Sequence, residues 1–367
     1  MKIFNIPINS LSFGNVTFGI LNSLYKKDYS DYLIKDIGNT DLSSFDKRRE
    51  DEKFISYLNE KSFKFLERFN REYSQFSLWH INGSETSVSN KNVLFTFHEC
   101  DSITEAEKNI LNQQDHIIVS CEYSKEVFEN GGVIKPITVI PLGFDSLHFV
   151  KKDKRKIPDG VCSFTIMGKT EHRKHTIKTA KLLVKKFGGN PKTLINLAIY
   201  NPFFSGEDNN RILATVFEGK PKPYNVNILP YVQTVSEVND TLNFTDIIVD
   251  MSGAESFSLP SFNATCLGKH SIVHYNTGIK QWATEETSTL VNPSKKIPLV
   301  DGVFFKQGGD FNQGNFFDYD DEEFLDKLDI VYKKWQKDKV NIEGLKLADK
   351  FTWDNTTNLI LEILEKI

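Results

Sequence analysis

The chain has 367 residues, which is enough for two domains of ordinary size, each with its own core. Hydrophobic residues at 39% and charged residues at 26% are typical of a globular protein and exclude the disordered and fibrous classes. With 45 basic against 49 acidic residues the net charge is −4, so the overall charge does not indicate a polyanion-binding protein.

Cysteine usage and the apolar stretches indicate the compartment. Cys100, Cys121, Cys162 and Cys266 lie far apart, without the close pairs of a zinc or redox site, so we expect reduced thiols in a cytoplasmic protein. The N-terminal stretch MKIFNIPINSLSFG does not fit a secretory signal peptide. No stretch approaches the ~18 apolar residues needed to cross a bilayer, so we expect no integral membrane segment.

The first predicted elements are a strand at residues 2–8 and a helix at 16–26, joined by a turn-rich loop that contains Gly14. A strand, a glycine-containing loop and a helix in this order can present backbone N–H groups and a helix dipole to a phosphate. The same arrangement is also an ordinary connection between a strand and a helix, and both interpretations stay open.

A long helix is predicted over residues 47–76, with apolar side chains near one face and basic side chains around the rest. Its simplest interpretation is a helix packed on the core with a solvated basic side. The alternative is a surface that meets an anionic partner, such as a membrane or DNA. The apolar set is Phe63, Leu66, Phe69, Tyr73 and Phe76, and the basic set is Lys61, Lys64, Arg68 and Arg71.

The run at 92–100 is almost continuously apolar, as in a strand buried on both faces of a parallel sheet, and it ends at His98 and Glu99. Residues at the carboxyl end of such a strand face the ligand crevice of an α/β sheet. His98 is therefore a candidate site residue, with a structural hydrogen-bonding role as the alternative. Strands and helices alternate through this half, which indicates a doubly wound α/β domain. The other strands here are predicted at 78–85, 116–120 and 137–145.

Three cations lie in a loop between a predicted strand at 161–167 and a predicted helix at 176–187. A helix N-terminus and nearby positive charges both favour an anion, so Lys169, Arg173 and Lys174 are candidate phosphate ligands. The alternative is an ordinary basic surface loop.

Residues 246–273 contain an apolar strand, a polar turn that presents Glu255, a helical segment, a glycine and a second apolar strand. A carboxylate where a parallel strand gives way to a helix lies beside the place where open α/β sheets bind ligands. Glu255 is therefore the leading candidate site residue.

Four segments carry motifs that occur together in one enzyme family. IPLGFDSLHF (140–149) is similar to an interdomain signature, and MGKTEHRKH (167–175) is similar to a Gly-Arg-x-x-x-x-Lys-Gly phosphate loop. ESFSLPSFNATCLGKHSIV (255–273) is similar to a segment with two glutamates seven residues apart, and FTWDNTTNLI (351–360) to a terminal Phe-x-Trp helix. In this order, over nearly the whole chain, they resemble the retaining GT-B glycosyltransferases, in particular the large family four.

The resemblance implies an α/β protein of the GT-B fold, with two Rossmann-like, doubly wound domains that face a central cleft. Residues 1–150 would form the acceptor domain and residues 151–350 the domain that binds the nucleotide sugar. Helix 351–367 would pack back on the first domain. The polar, basic run at 150–160 fits a linker between the two.

The resemblance also implies roles for single residues. Glu255 would contact hydroxyls of the transferred sugar, and His98 would line the sugar site. Metal and cofactor are not implied, because cations and helix N-termini stabilise the leaving group, so the nucleotide sugar is a co-substrate. The donor diphosphate would lie near Lys169, Lys174, the loop of Gly14 and the backbone of Ser256, Phe257, Ser258 and Leu259.

Three positions depart from the family pattern. Asn263 stands where the second glutamate, expected on the nucleotide ribose, would be; an amide can still bond a hydroxyl but without charge assistance. Lys169 replaces the loop arginine and loses its bidentate geometry. His175 replaces a glycine. These departures concern the identity of the donor more than the fold.

The leading hypothesis is a metal-independent, retaining hexosyl- or pentosyltransferase that takes sugar from a UDP- or GDP-linked donor to a saccharide or glycan. Usage rich in Lys, Asn, Ile and Phe suggests an AT-rich genome, so a phage-type enzyme that glycosylates hydroxymethylated DNA bases is an alternative. A non-catalytic GT-B protein that binds nucleotide sugars is a second alternative, motivated by Asn263. A peripheral membrane contact is a further partner hypothesis.

Overall fold

The computed structural model describes residues 1–43, 49–152, 157–302 and 305–367. Within them the chain forms two six-stranded parallel sheets that alternate with helices along the sequence. The predicted fold class, two doubly wound α/β units, is confirmed. The predicted helix start at 47–48 and the centre of the predicted linker, 153–156, lie outside the described residues.

The first sheet is built from β1 (Lys2–Ile6), β2 (Tyr32–Asp36), β3 (Ser74–Leu78), β4 (Lys91–Thr96), β5 (His116–Val119) and β6 (Ile137–Val139). Its spatial order is β2-β1-β3-β4-β5-β6, with parallel neighbours throughout. The chain winds to one side of β1 and then returns to its other side with β3. The carboxyl ends of β1 and β3 therefore border a switch point, where sheets of this kind open a crevice.

Four helices belong to this half: α1 (Ser12–Lys26), α2 (Arg49–Arg68), α3 (Glu105–Leu111) and α4 (Glu122–Asn130). The predicted helix over 47–76 was too long, because Asn70 forms a turn after α2. The Asn70 side chain accepts the N–H of Glu72 at 3.0 Å, and its carbonyl accepts the N–H of Tyr73 at 3.2 Å. The next strand is β3, so the predicted strand at 78–85 was placed too late, and Phe76 is a buried strand residue.

The exposed side of α2 also differs from the prediction. Phe63 and Leu66 are 63% and 79% exposed, whereas Phe54 and Leu58 form the buried face. Lys61 is buried and donates to the carbonyl of Ser30 at 2.8 Å, so it is not part of a basic surface. The peripheral membrane contact stays a prediction. No helix among the described residues is both long and apolar enough to span a bilayer.

The second sheet is built from β7 (Cys162–Met167), β8 (Thr193–Ala198), β9 (Val226–Ile228), β10 (Ile247–Asp250), β11 (His270–His274) and β12 (Thr289–Val291). Its helices are α5 (Thr176–Phe187), α6 (Gly206–Ala214), α7 (Val235–Asn243) and α8 (Leu259–Cys266). The spatial order β12-β11-β10-β7-β8-β9 places a switch point between β7 and β10. The predicted bounds of α5 are confirmed.

An antiparallel hairpin and three helices complete the chain: β13 (Pro293–Pro298), β14 (Asn315–Tyr319), α9 (Asp321–Lys337), α10 (Ile342–Lys350) and α11 (Trp353–Lys366). Helix α11 packs on α1. A Cβ at Gly19 would lie 2.2 Å from the Trp353 ring, so only glycine permits this approach. Ser23 donates to the carboxylate of Asp354 at 2.5 Å across the same contact. The predicted domain boundaries stay a prediction.

Candidate active site

The loops after β7 and β10 meet at the switch point of the second sheet. Lys169, Arg173 and Lys174 lie on the first loop, which leads into the N-terminus of α5, and Glu255 lies on the second. The sequence separates Lys174 from Glu255 by 81 positions, yet their side chains are hydrogen-bonded. Four predicted site residues are thus brought together by the sheet order.

Glu255 is buried, at 7% exposure, and its backbone is fixed on both sides. Its N–H donates to the hydroxyl of Thr277 at 2.9 Å, and its carbonyl accepts the N–H of Gly278 at 2.7 Å. Its carboxylate accepts a hydrogen bond from Lys174 and lies 3.4 Å from Arg173. Burial alone would raise the pKa of Glu255, but these two cations outweigh it and lower the pKa to about 2.

Arg173 is buried among carboxylates and carbonyls. Its guanidinium donates to the carbonyl of Ala254 and lies 3.4 Å from Glu171 and 3.6 Å from Glu99. Burial opposes its charge, but Glu99, Glu255 and Glu171 together raise the pKa of Arg173. Because these partners are protein groups, Arg173 has a structural role in the site, and its predicted contact with the donor stays a prediction.

The two lysines are less enclosed. Lys169 is half-buried, 2.7 Å from the carboxylate of Glu171 and 5.0 Å from the ring of Phe203. Burial alone would lower the pKa of Lys174, but Glu255 raises it. Each lysine thus lies beside a carboxylate, and Lys174 is held protonated at neutral pH by Glu255.

His175, which replaces the family glycine, begins α5 with φ of 51°. Glycine adopts this left-handed conformation most readily, so the φ of His175 is one that a glycine at the same position would also accommodate. The ring of His175 bonds to the carbonyl of Phe317 at 2.9 Å, and burial lowers its pKa. The histidine therefore anchors the loop on β14.

Asp250, at the end of β10, shapes the turn that carries Glu255. Its carboxylate accepts hydrogen bonds from the hydroxyls of Ser252 at 2.8 Å and Ser261 at 2.7 Å, and from that of Ser258. Ser258 has φ of 63° and is the N-cap of α8. We did not single out Asp250 from the sequence; the signal was an acid followed by serines at positions 2, 8 and 11.

The predicted diphosphate segment also joins the two halves of the molecule. Ser256 donates to the carbonyl of His98 at 3.2 Å and accepts from Ser120 at 2.8 Å. Phe257 packs its ring 4.9 Å from that of Phe262. Leu259 is the first residue of α8 and is half-buried. The segment is thus held from both sheets.

His98 lies in the first half, and its ring contacts other residues of that half. A ring nitrogen bonds to the carbonyl of Ser102 at 2.9 Å, and the ring lies 5.2 Å from that of Phe128. Burial lowers its pKa, so the imidazole is neutral at pH 7. These contacts fit the alternative interpretation, in which His98 has a structural hydrogen-bonding role. A part in catalysis stays a prediction.

Glu99, the next residue, is the one that reaches the second half. Its carboxylate lies 3.6 Å from Arg173, and its side chain is 27% exposed. β4 ends at Thr96, so strand alternation does not extend to His98 and Glu99, and the local sequence contains no signal that favoured Glu99.

Gly14 occupies a position different from the one expected, whereas Asn263 lies in the predicted helical segment. Gly14 lies in the first turn of α1, not in the loop before it, and a Cβ there would lie 1.8 Å from the carbonyl oxygen of Asn9. The glycine is therefore required by the fold of this turn. On α8, the side-chain oxygen of Asn263 is buried with no hydrogen-bond partner among the described residues. Contacts of either residue with a donor stay predictions.

The β13–β14 hairpin, which the sequence did not reveal, bridges to the first half beside this site. Asp101 accepts the N–H of Asn315 at 2.7 Å and pairs with Lys296 at 2.8 Å. Thr104 donates to the carbonyl of Asp310 at 2.6 Å. The cleft is therefore tied along one edge.

Solved structures with a similar fold cover the whole chain. Sucrose-phosphate synthase from Thermosynechococcus elongatus matches with a TM-score of 0.70 and 13% identity, over 100% of this chain and 98% of that chain. HepE of Anabaena, in complex with UDP and glucose, matches with a TM-score of 0.67 and 13% identity over 100% of both chains. The trehalose-6-phosphate synthase OtsA matches with a TM-score of 0.67 and 11% identity, over 100% and 99%.

These likenesses show that the fold is GT-B, as the resemblance implied. No family model matches the sequence, and no curated protein matches it either.

Proposed function

We propose that this protein is a glycosyltransferase that takes a sugar from a nucleotide-sugar donor bound at the switch point of the second sheet. The observation that carries the proposal is the buried Glu255, held between Lys174 and Arg173 on loops where an open α/β sheet binds ligands. HepE, of the same fold, is described in complex with UDP and glucose, which makes UDP-glucose the first donor to test.

The proposed role of Glu255 is to accept hydrogen bonds from hydroxyls of the transferred sugar. With a pKa of about 2, the carboxylate stays ionised at neutral pH and is a poor proton donor or acceptor there. An ionised carboxylate accepts strong, charge-assisted hydrogen bonds. Its electrostatics therefore favour a sugar-binding role over general acid or base catalysis.

The proposed role of Lys169 and Lys174 is to neutralise the donor diphosphate. Each lysine is at present paired with a carboxylate, Glu171 or Glu255, so a diphosphate would compete for cations that are already positioned. The N-termini of α5 and α8 add dipoles of the same sign. Charge that develops on the leaving diphosphate would be stabilised without a metal ion.

The buried side chain of Asn263 supports the binding of the donor's nucleoside at the same site. Its buried amide oxygen has no partner among the described residues, and a ribose hydroxyl would supply the missing donor. The proposed reaction proceeds with retention onto a saccharide or glycan, with UDP preferred over GDP. Retention rests on the motif resemblance.

The test has a binding arm and a turnover arm. UDP, GDP and their glucose conjugates are screened by thermal shift, since a ligand of the folded state raises the melting temperature by mass action. Release of nucleoside diphosphate from the donor that binds is then followed by chromatography. Lys174→Ala is expected to lower donor affinity at least about tenfold, and Lys181→Ala, on the exposed side of α5, serves as the matched control. Equal donor affinity in both variants would refute the site.

The rival is a GT-B protein that binds nucleotide sugars without transfer, favoured by Asn263 in place of the second glutamate. It predicts a thermal shift with UDP-glucose but no release of UDP over hours. Detectable release excludes it.

A further inference from the structure

We propose that Arg173 is a positioning residue, which stays ion-paired with two buried carboxylates when their lysine partners turn to a donor diphosphate. The carboxylates are those of Glu171 and Glu255, and the lysines are Lys169 and Lys174. The inference rests on the proposed binding of a nucleotide sugar, and it assigns to Arg173 a role other than contact with the diphosphate.

Arg173 lies between two lysine–carboxylate pairs. Lys169 lies 2.7 Å from the carboxylate of Glu171, and Lys174 donates a hydrogen bond to the carboxylate of Glu255. The guanidinium of Arg173 lies 3.4 Å from each of these carboxylates. Each carboxylate therefore has two cationic neighbours, and Arg173 is the one that both share.

Arg173 is held more firmly than either lysine. Its side chain is 7% exposed, against 35% for Lys169 and 17% for Lys174. Its guanidinium also donates to the carbonyl of Ala254, and its own carbonyl accepts the N–H of Gly253 at 2.7 Å. A planar guanidinium faces several oxygens at once, whereas an ammonium on a flexible stem turns readily to a new partner. The lysines are thus the cations that are free to turn to a diphosphate.

Direct contact between Arg173 and the diphosphate is disfavoured by the groups around the guanidinium. Besides Glu171 and Glu255, the carboxylate of Glu99 on the first half of the molecule lies 3.6 Å from it. A guanidinium that turned to the diphosphate would leave these buried carboxylates without their shared cation, which is strongly unfavourable. The lysines bring positive charge to the diphosphate without that loss.

The charges around Glu255 show why a second cation is needed. The cluster contains three cations and four carboxylates, namely Lys169, Arg173, Lys174, Glu99, Glu171, Asp250 and Glu255. When a diphosphate binds the lysines, Arg173 is the cation of this cluster that stays beside Glu255. A buried carboxylate without a cation takes up a proton, because burial raises its pKa. With Arg173 in place, Glu255 stays ionised and accepts hydrogen bonds from sugar hydroxyls.

Proton uptake on donor binding distinguishes this role from a purely structural one. UDP-glucose is titrated calorimetrically at about pH 6 in two buffers of different ionisation enthalpy, because the difference in observed heat gives the number of protons bound. In Arg173→Met, Lys174 turns to the diphosphate and Glu255 takes a proton from solvent. We expect this variant to bind at least about half a proton more per donor than the wild type. Its donor affinity, relative to that of the wild type, should therefore rise as the pH falls from about 8 to about 6.

Two further variants serve as controls. Arg173→Lys keeps the charge and should return the proton uptake toward the wild-type value. Arg211→Met removes an arginine that is 77% exposed on α6, and it should match the wild type in donor affinity and in proton uptake. Titration of His80, on which the charges of Glu99 and Lys169 act, is common to these proteins and cancels in the difference between them.

Carbon-13 NMR of wild-type protein labelled at the glutamate carboxyl carbons tests the inference without a substitution. Addition of UDP-glucose at about pH 6 should leave the carboxyl of Glu255 ionised, because Arg173 remains beside it. A glutamate signal that moves to the protonated position when the donor is added would overturn the inference, even if Arg173→Met does not fold.

Equal proton uptake by the wild type and by Arg173→Met would also overturn it. The calorimetry separates this failure from failure of the proposed function. Absence of UDP-glucose binding by the wild type refutes the donor site and the inference with it, whereas binding with equal proton uptake refutes the role of Arg173 alone.

Discussion

Each sheet of the molecule has a switch point in its strand order, and the two switch points differ in side-chain chemistry. That of the second sheet is charged, with Lys169, Lys174 and Glu255 on its two loops. That of the first sheet is aromatic, with Trp79 and Phe97 at the same strand ends. Strand order thus creates a switch point in each sheet, while the side chains on the loops that follow make one of them charged and the other aromatic.

The two switch points also differ in how strongly substitutions there are expected to change the stability of the fold. At the second switch point Glu255, Lys174 and Arg173 are ion-paired with little exposure to solvent, so removal of one charge leaves a buried charge without its partner. At the first switch point Trp79 and Phe97 are half-buried and His80 is exposed, so replacement of His80 is expected to change stability little. Stability measurements on variants can therefore distinguish the two switch points before any substrate is known.

Glu255 is the position at which this contrast is largest. Glu255→Gln removes the charge that balances Lys174 and Arg173, and we expect a loss of about 3–5 kcal/mol in the free energy of unfolding. Urea denaturation checks the value, and Glu99→Gln, whose side chain is 27% exposed, is the control with a smaller expected loss. Equal losses of stability in the two variants would show that the deeper burial of Glu255 does not increase its contribution.

Acid titration provides the second test. The folded pKa of Glu255, about 2, lies below its ordinary value of 4.5, so the folded state prefers the ionised form. The stabilisation is fully present above pH 4.5 and is lost as the pH falls toward 2, to a total of about 3 kcal/mol. Denaturation of wild type and Glu255→Gln between pH 5 and about 2.5 measures it. A wild-type curve no steeper than that of the variant would contradict the assignment.

His98 provides the smallest test, within the first half. If its ring serves the fold, His98→Ala lowers stability by about 2 kcal/mol through the lost bond to Ser102 and the lost packing on Phe128. His80→Ala, at an exposed position just after β3, should change stability by less than about 0.5 kcal/mol. Unchanged stability of His98→Ala together with lost turnover would instead support the catalytic prediction.

Much of the fold follows from local pattern. The apolar run at 92–100 correctly indicated β4, because a strand buried on both faces of a parallel sheet has a continuous apolar sequence. The basic loop before α5 and the turn of Glu255 were also placed correctly. The bounds of α5 followed from its amphipathic period. Errors occurred at Asn70, where a side chain bonded to the backbone ends the helical pattern earlier than periodicity suggests.

The sequence by itself determined two doubly wound units and the candidate residues at their strand ends. Only the tertiary structure decided which of those residues face the cleft: it turned the ring of His98 into the first half and brought Glu99 to Arg173. It also joined Lys174 to Glu255 and the hairpin to Asp101. Local sequence patterns indicate which face of a strand or helix is buried. The contacts named above depend on how the two sheets meet, which no short stretch of sequence specifies.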